Sequence, residues 1–181
     1  MTFHDCMQLV RTVSSETAFD EAECLTYYNL LMSLEPHALV IEVGLQFGRS
    51  SAVALQVCKA QNMRYWGIDP FIEPPEAEAK WMELAHTVGG PFKLSRMTAN
   101  QVIMGEPIDL ILIDGDHSYQ GVHDDCAHFM PKVRQGGYAC FHDFERKSLP
   151  AVTNAVKDYM DGNQHWIKHA QAGTLGVWRR A

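Results

Sequence analysis

Two stretches of this chain crowd ionisable side chains just after apolar runs, where a folded sheet would present them at its edge. In Ile113-Asp114-Gly115-Asp116-His117-Ser118-Tyr119, two carboxylates and an imidazole follow the most strand-like segment of the sequence. Burial and like charge would both raise carboxylate pKa values there unless a cation intervenes, and a metal ion or cationic ligand would supply one. Asp116 or Ser118 also suits the N-cap of the next helix, a use that leaves Asp114 and His117 unexplained. In Phe141-His142-Asp143-Phe144 a second apolar run ends the same way, which puts Asp114 and Asp143 at the tips of neighbouring strands. Oxygen ligands with an imidazole suit Mg²⁺, Mn²⁺ or another first-row divalent cation. Asp143 has a plainer use, as a cap of the loop before Ser148-Leu149-Pro150.

Two further stretches fit a nucleotide-like ligand. Glu42-Val43-Gly44-Leu45-Gln46-Phe47-Gly48-Arg49-Ser50-Ser51 runs from strand through turn to helix, and glycines at 44 and 48 permit a tight bend and close backbone approach. Glu42, at the strand end, could accept from a ligand cation or hydroxyl. The G-x-G-x-x-G fingerprint of dinucleotide binding is absent, which counts against an NAD-dependent oxidoreductase. Asp69 closes the next strand, where a carboxylate can take both hydroxyls of a ribose or cap the turn at Pro70.

The elements that must position these groups can be read from periodicity. Strands are expected over Ala38–Val43, Arg64–Ile68, Phe92–Met97, Ile108–Ile113, Tyr138–Phe141, His165–His169 and Thr174–Trp178, with Ala170-Gln171-Ala172-Gly173 joining the last two. Helices are expected over Glu16–Leu34 (with Leu25, Tyr28, Leu31 and Met32 on one face), Arg49–Ala60, Glu76–His86, Gly121–Val133 and Leu149–Met160. Glu73–Glu78 reads as an ordered loop with a solvated acidic face. Apolar strands without strict alternation are buried on both faces, and the closing hairpin turns the edge antiparallel. The expected fold is a Rossmann-like doubly wound α/β sheet, mostly parallel, whose ligands sit beyond the carboxyl ends of the strands. One domain spans 1–181, with 1–36 as an N-terminal helical cap. The four tryptophans are expected to pack the sheet, with Trp81 also able to line a substrate mouth.

Bulk properties narrow the partners. Fifteen lysines and arginines against 22 aspartates and glutamates give a net charge of -7, which argues against an extended nucleic-acid footprint. A local basic patch could still form, for instance around Arg146 and Lys147, although two adjacent cations are by default solvated. No apolar run is long enough to cross a bilayer, and Met1–Val13 lacks a signal-peptide core, so a cytoplasmic protein is expected. The odd number of cysteines, five, without a C-x-x-C pair, fits buried free thiols. Apolar surface on the N-terminal helix and edge hairpin could pair subunits into a homodimer.

Taken in order, the E-V-G-L-Q-F-G-R-S-S loop, the G-I-D-P strand end, the I-D-G-D-H-S-Y-Q-G-V-x-x-D stretch and the G-G-Y-x-x-F-H-D strand resemble the methyltransferase 24 family. These are small class I S-adenosylmethionine-dependent methyltransferases, similar to catechol, caffeoyl-CoA and macrolide-sugar O-methyltransferases. The resemblance runs from Ala38 to Asp143, and D-G-D-H-S-Y is its most specific part. It implies that Glu42, Gly44 and Gly48, with Ser50 of the same loop, hold the methionine side of S-adenosylmethionine. It further implies Asp69 on the ribose, Met97-Thr98-Ala99 by the adenine, and Asp114 facing the cofactor. Asp114 and Asp143 would hold a divalent cation such as Mg²⁺, with His142 beside the second ligand, and His117 would be the base. The implied reaction is O-methylation of a small hydroxylated molecule, with a methyltransferase-like module that binds without chemistry as the alternative.

Overall fold

The computed structural model describes residues 1–13, 19–72 and 74–181. Seven strands form one sheet: β1 (Leu39–Val43), β2 (Arg64–Ile68), β3 (Phe92–Ser95), β4 (Ile108–Ile113), β5 (Val133–Phe141), β6 (Trp166–Ala172) and β7 (Leu175–Arg180). Their order is β3-β2-β1-β4-β5-β7-β6. The pairs from β3 through β5 are parallel, and β7 lies antiparallel between β5 and β6. All five residues of β1 are buried, as expected of a central strand covered on both sides.

Six helices supply that cover: α1 (Phe3–Val13), α2 (Glu21–Met32), α3 (Arg49–Ala60), α4 (Ala77–Val88), α5 (Tyr119–Phe129) and α6 (Pro150–Met160). Val40, Leu110, Leu112, Cys140 and Val177 face a core shared with α1 to α4, whereas Ile41, Ile111, Ala139 and Phe141 face one shared with α5 and α6. The alternation is that of a pleated sheet, each residue facing opposite its neighbour. Because β1 leads to α3 on one face and β4 to α5 on the other, a crevice opens between their carboxyl ends. Among the described residues no helix is long and apolar enough to cross a membrane. All five cysteines are buried and free.

The structure corrects several expected boundaries. The first expected helix begins outside the described residues, and α2 starts at Glu21 behind a capping box in which Asp20 and Glu23 exchange hydrogen bonds. Its buried face is Cys24, Tyr27, Tyr28, Leu30 and Leu31, while Leu25 and Met32 are exposed. The helix α1 was not foreseen as an element; its few buried residues, Cys6, Met7 and Val10, give a short apolar stripe. β5 begins at Val133 rather than Tyr138, because the ladder with β4 shifts register between Ile108↔Val133 and Leu110↔Tyr138. Gly136, at φ 78°, lets the strand absorb that irregularity. The closing hairpin pairs as far as Ala172↔Leu175, so its turn is Gly173-Thr174 alone. Trp81 is wholly buried and lines no mouth. Glu73 lies outside the described residues.

Candidate active site

The carboxyl ends of β1, β2, β4 and β5 open onto a cavity of about 740 Å³, in the range that holds a drug-sized ligand. One wall is the loop from β1 to α3. Gly44 has φ 83°, and a Cβ there would stand 2.0 Å from the Asp114 carbonyl oxygen, so no side chain fits between β1 and β4. Asp69 tethers this loop. Its Oδ2 accepts from the amides of Leu45 (2.7 Å) and Gln46 (3.1 Å), and its Oδ1 accepts from Phe71 (2.6 Å). A carboxylate has about four acceptor positions, so Asp69 keeps room on Oδ1 for a ligand hydroxyl. Gly48 starts α3 at φ 86°, and a Cβ there would meet Leu84 at 2.6 Å and Trp81 at 3.0 Å. Packing against α4 therefore demands this glycine.

Glu42 is placed differently from the expectation. Its side chain is wholly buried behind the loop and is no part of the cavity wall. Oε1 accepts from the Ser50 hydroxyl and Oε2 from the Tyr65 hydroxyl at 2.5 Å. Burial drives the Glu42 pKa up, against the pull of Ser50, Tyr65 and Ser51, to about 7. Ser50 itself does line the cavity.

Thr98 stands on the wall beyond β3, as expected, between Met97, Ala99 and Asn100. Its hydroxyl donates to Asn100 Oδ1 at 2.8 Å, and its amide donates to Gln101 Oε1 at 3.2 Å, which caps the short helix over Ala99–Gln101. Asn100 was not singled out from the sequence, because a neutral amide carries no charge signal. Asp125, from the last position of the D-G-D-H motif block, also lines the cavity. Burial, with Asp116 and Asp124 nearby, lifts its pKa to about 7. Of the two candidate caps for α5, Ser118 does the capping, accepting from the Gly121 amide at 3.0 Å. Asp116 instead accepts from the amide and hydroxyl of Ser118.

The opposite wall is ionic. Asp114 and Asp143 follow β4 and β5, and with His117 each offers one ligand atom, all within 4.8 Å of one another. His117 Nε2 lies 3.4 Å from both Asp114 Oδ1 and Asp143 Oδ2. Asp143 is buried with φ 57°, a left-handed conformation uncommon for a residue with a Cβ. Its Oδ1 accepts from Arg146 Nη1 at 2.7 Å, so Arg146 is no solvated bystander.

His142 lies beside this triad, with its Nδ1 3.8 Å from Asp143 Oδ2. Its Nδ1 faces Asp114 Oδ1 at 3.0 Å, and its Nε2 faces Glu23 Oε2 at 3.5 Å. Burial alone would lower the ring's pKa, but the Asp114 hydrogen bond, the nearby Glu23 carboxylate and the field of Asp114 and Asp143 lift it to about 10. Burial likewise pushes Asp114 up, yet His117 and His142 outweigh it and hold the carboxyl below its ordinary value. The Asp114 hydrogen bond, opposed by burial, raises His117. The cation that the crowded carboxylates require is thus in part provided by the chain itself.

Glu23 was missed by sequence reasoning. It is buried on α2, accepts from the Thr174 amide (2.7 Å) and hydroxyl (2.8 Å), and so joins α2, the β6–β7 turn and His142. Asp20-x-x-Glu23 has the capping-box pattern in the sequence, but nothing there reveals the contact with His142. Phe19 was also missed. Its carbonyl accepts from Arg49 Nε at 2.6 Å, and its ring lies 5.1 Å from that of His142.

Two carboxylates and an imidazole fit a first-row divalent ion in donor type and spacing, provided His117 gives up its proton to bind. The glycine-bent loop, the tethered Asp69 and the apolar side chains of Ile68, Pro70 and Met97 fit a nucleoside with an amino-acid tail.

An uncharacterized protein of Acanthamoeba polyphaga mimivirus is 30% identical over 149 residues, 74% of this chain and 66% of that protein. The match therefore spans just under two thirds of the curated relative's length. Among solved structures, the apo form of a TDP-rhamnose 3'-O-methyltransferase of calicheamicin biosynthesis superposes with TM-score 0.69 at 13% identity, covering 98% of this chain and 92% of the other. The N-methyltransferase NodS of Bradyrhizobium japonicum, in complex with S-adenosylhomocysteine, gives TM-score 0.62 at 13% identity, covering 98% and 97%. At such identities these two likenesses establish the fold. A family model described as a methyltransferase domain matches residues 41–144, which hold most of the residues lining the cavity. The chain belongs to the methyltransferase 24 family and has the class I methyltransferase fold.

Proposed function

We propose that this protein transfers the methyl group of S-adenosylmethionine to a hydroxyl of a small molecule. The observation that carries the reading is that the tethered glycine loop and the Asp114–His117–Asp143 cluster face each other across one cavity. Methyl transfer is an in-line displacement at a carbon on a sulfonium, so alignment and deprotonation of the acceptor are the protein's tasks. Loop amides and Ser50 would hold the amino-acid end of the cofactor, Asp69 the ribose, and Thr98 and Asn100 would flank the base. Asp114 would face the sulfonium.

The acceptor's proton would pass to His117 Nε2 when no ion occupies that nitrogen. A divalent cation, where bound, would be held by Asp114, His117 and Asp143 and would lower the acceptor's pKa. The net charge of -7 supports a small-molecule acceptor over nucleic acid. A cytoplasmic location and pairing into a homodimer stand as parts of the same proposal.

The test is calorimetry with S-adenosylhomocysteine, followed by transfer from labelled S-adenosylmethionine to a panel of hydroxylated compounds, with and without chelator. Asp143→Ala should lower turnover by about a hundredfold while cofactor affinity stays within about twofold. Cofactor binding without transfer to any compound would favour a non-catalytic module, and absence of binding would end the proposal.

A further inference from the structure

We propose that Glu42 is a positioning residue that sets the hydrogen-bond polarity of Ser50 at the cavity wall without itself touching the ligand. The inference rests on the cavity binding S-adenosylmethionine, and goes beyond it in naming how the amino-acid end is recognised.

Glu42 has no exposed surface and is absent from the cavity wall, whereas Ser50 stands on that wall at 5% exposure. The Ser50 hydroxyl donates inward to Glu42 Oε1, and the Tyr65 hydroxyl donates to Oε2 at 2.5 Å. Behind them, Ser51 Oγ lies 3.2 Å from the Tyr65 hydroxyl and accepts from Trp81 Nε1 at 2.9 Å. Trp81 is in turn one of the side chains packed against Gly48. The network thus ties β1, β2, α3 and α4 together behind the loop, and Ser50 is where it reaches the cavity.

A hydroxyl has one proton and two lone pairs. A Glu42 carboxylate can only accept, so it obliges Ser50 to spend its proton inward and to show the cavity lone pairs alone. Ser50 is then an acceptor suited to the ammonium of an amino-acid ligand. A protonated Glu42 can itself donate to Ser50, which frees the serine proton to turn towards the cavity and oppose that ammonium. The groups facing Glu42 are Ser50, Ser51 and Cys58 of α3, Tyr65 of β2, Tyr27 of α2 and Asp114 beyond β4. Burial brings the Glu42 pKa to about 7, so both forms occur near neutrality.

Calorimetry with S-adenosylhomocysteine at about pH 6 and about pH 8, either side of that value, tests the idea. The parent protein should bind about tenfold more tightly at the higher pH, the worth of one charge-assisted hydrogen bond. Glu42→Gln keeps the shape, cannot ionise and donates from its amide, so it should bind weakly at both pH values. Ser50→Ala should be equally flat, and the double variant no weaker than Ser50→Ala. A parent whose affinity is the same at both pH values, or either single variant keeping the parent's slope, overturns the inference. A role for Glu42 in structure alone would lower affinity and leave the slope intact. If the parent binds no S-adenosylhomocysteine at either pH, the cofactor reading itself fails.

Discussion

The two walls of the cavity solve the same problem, holding polar groups at a sheet edge, by different means. The wall formed by the loop between β1 and α3 works with backbone amides, a left-handed glycine and one tethering carboxylate, Asp69. The wall beyond β4 and β5 works with charges, in which Asp114, Asp143 and Glu23 are balanced by His142, His117 and Arg146. The first wall is set by local backbone geometry, and the hydrogen bonds of its tether lie within β1, α3 and β2 and the turn that follows. The second depends on ion pairs that close only when distant elements meet. Shape governs one wall and neutralisation the other, and substitutions should expose the contrast.

The largest effect is expected at the seam between the walls. Gly44→Ala must adopt φ near 83° and displace the Asp114 backbone 2.0 Å from its new Cβ, which should cost about 3–5 kcal/mol and appear as a fall in Tm. The charged wall should answer to Glu23. Glu23→Ala strands the His142 imidazolium and the Thr174 amide, for about 2–4 kcal/mol by urea titration. Glu23→Gln serves a capping box equally well, so it should cost clearly less, and that smaller cost isolates the charge. No loss in the glutamine variant would show that the cap and the neutral hydrogen bonds alone matter.

A smaller effect of opposite sign is expected behind the loop. Glu42 has a folded pKa of about 7, above its ordinary 4.5, so its contribution to stability is complete below about pH 4.5 and is lost as pH rises through 7. Glu42→Gln should therefore melt like the parent near pH 5 and be more stable by about 2 kcal/mol near pH 8. The gain would come at the expense of ligand affinity, a common exchange at functional sites. Smallest of all, Trp81→Phe removes the hydrogen bond to Ser51 and should cost about 1 kcal/mol. A larger loss would mean that the ring's contact with Gly48 matters more than its N–H.

The contrast also explains what the amino-acid sequence discloses. The shape-governed wall was legible: Arg49–Ala60, Arg64–Ile68 and Ile108–Ile113 have the expected boundaries, and Gly44, Gly48, Asp69 and Thr98 all reach the cavity. Glycine and strand-end signals act over a few residues, so a linear reading can find them. Glu42 was found but assigned to the wrong side, because strand alternation turns it into the core while its neighbours Val43 and Gly44 line the cavity. On the ionic wall, residue types and strand tips were legible and partners were not. His142 and His117 both approach Asp114 and Asp143, and the buried one of the two is held by Glu23 from a distant helix. Arg146 looked like a surface cation, and only the buried Asp143 gives it a partner.

The contact between Glu23 and Thr174 spans 151 positions of the chain. Closing so long a loop costs entropy before any contact rewards it, so the order of assembly is constrained. The glycine bend can form as soon as β1, α3 and β2 meet, whereas the Glu23 carboxylate beside His142 is fixed by Thr174 only after the final hairpin has docked on α2. During refolding, amides around the bend should become protected from exchange before those at the Gly173-Thr174 turn. A half-folded molecule would then be able to grip a nucleoside before it could act on one.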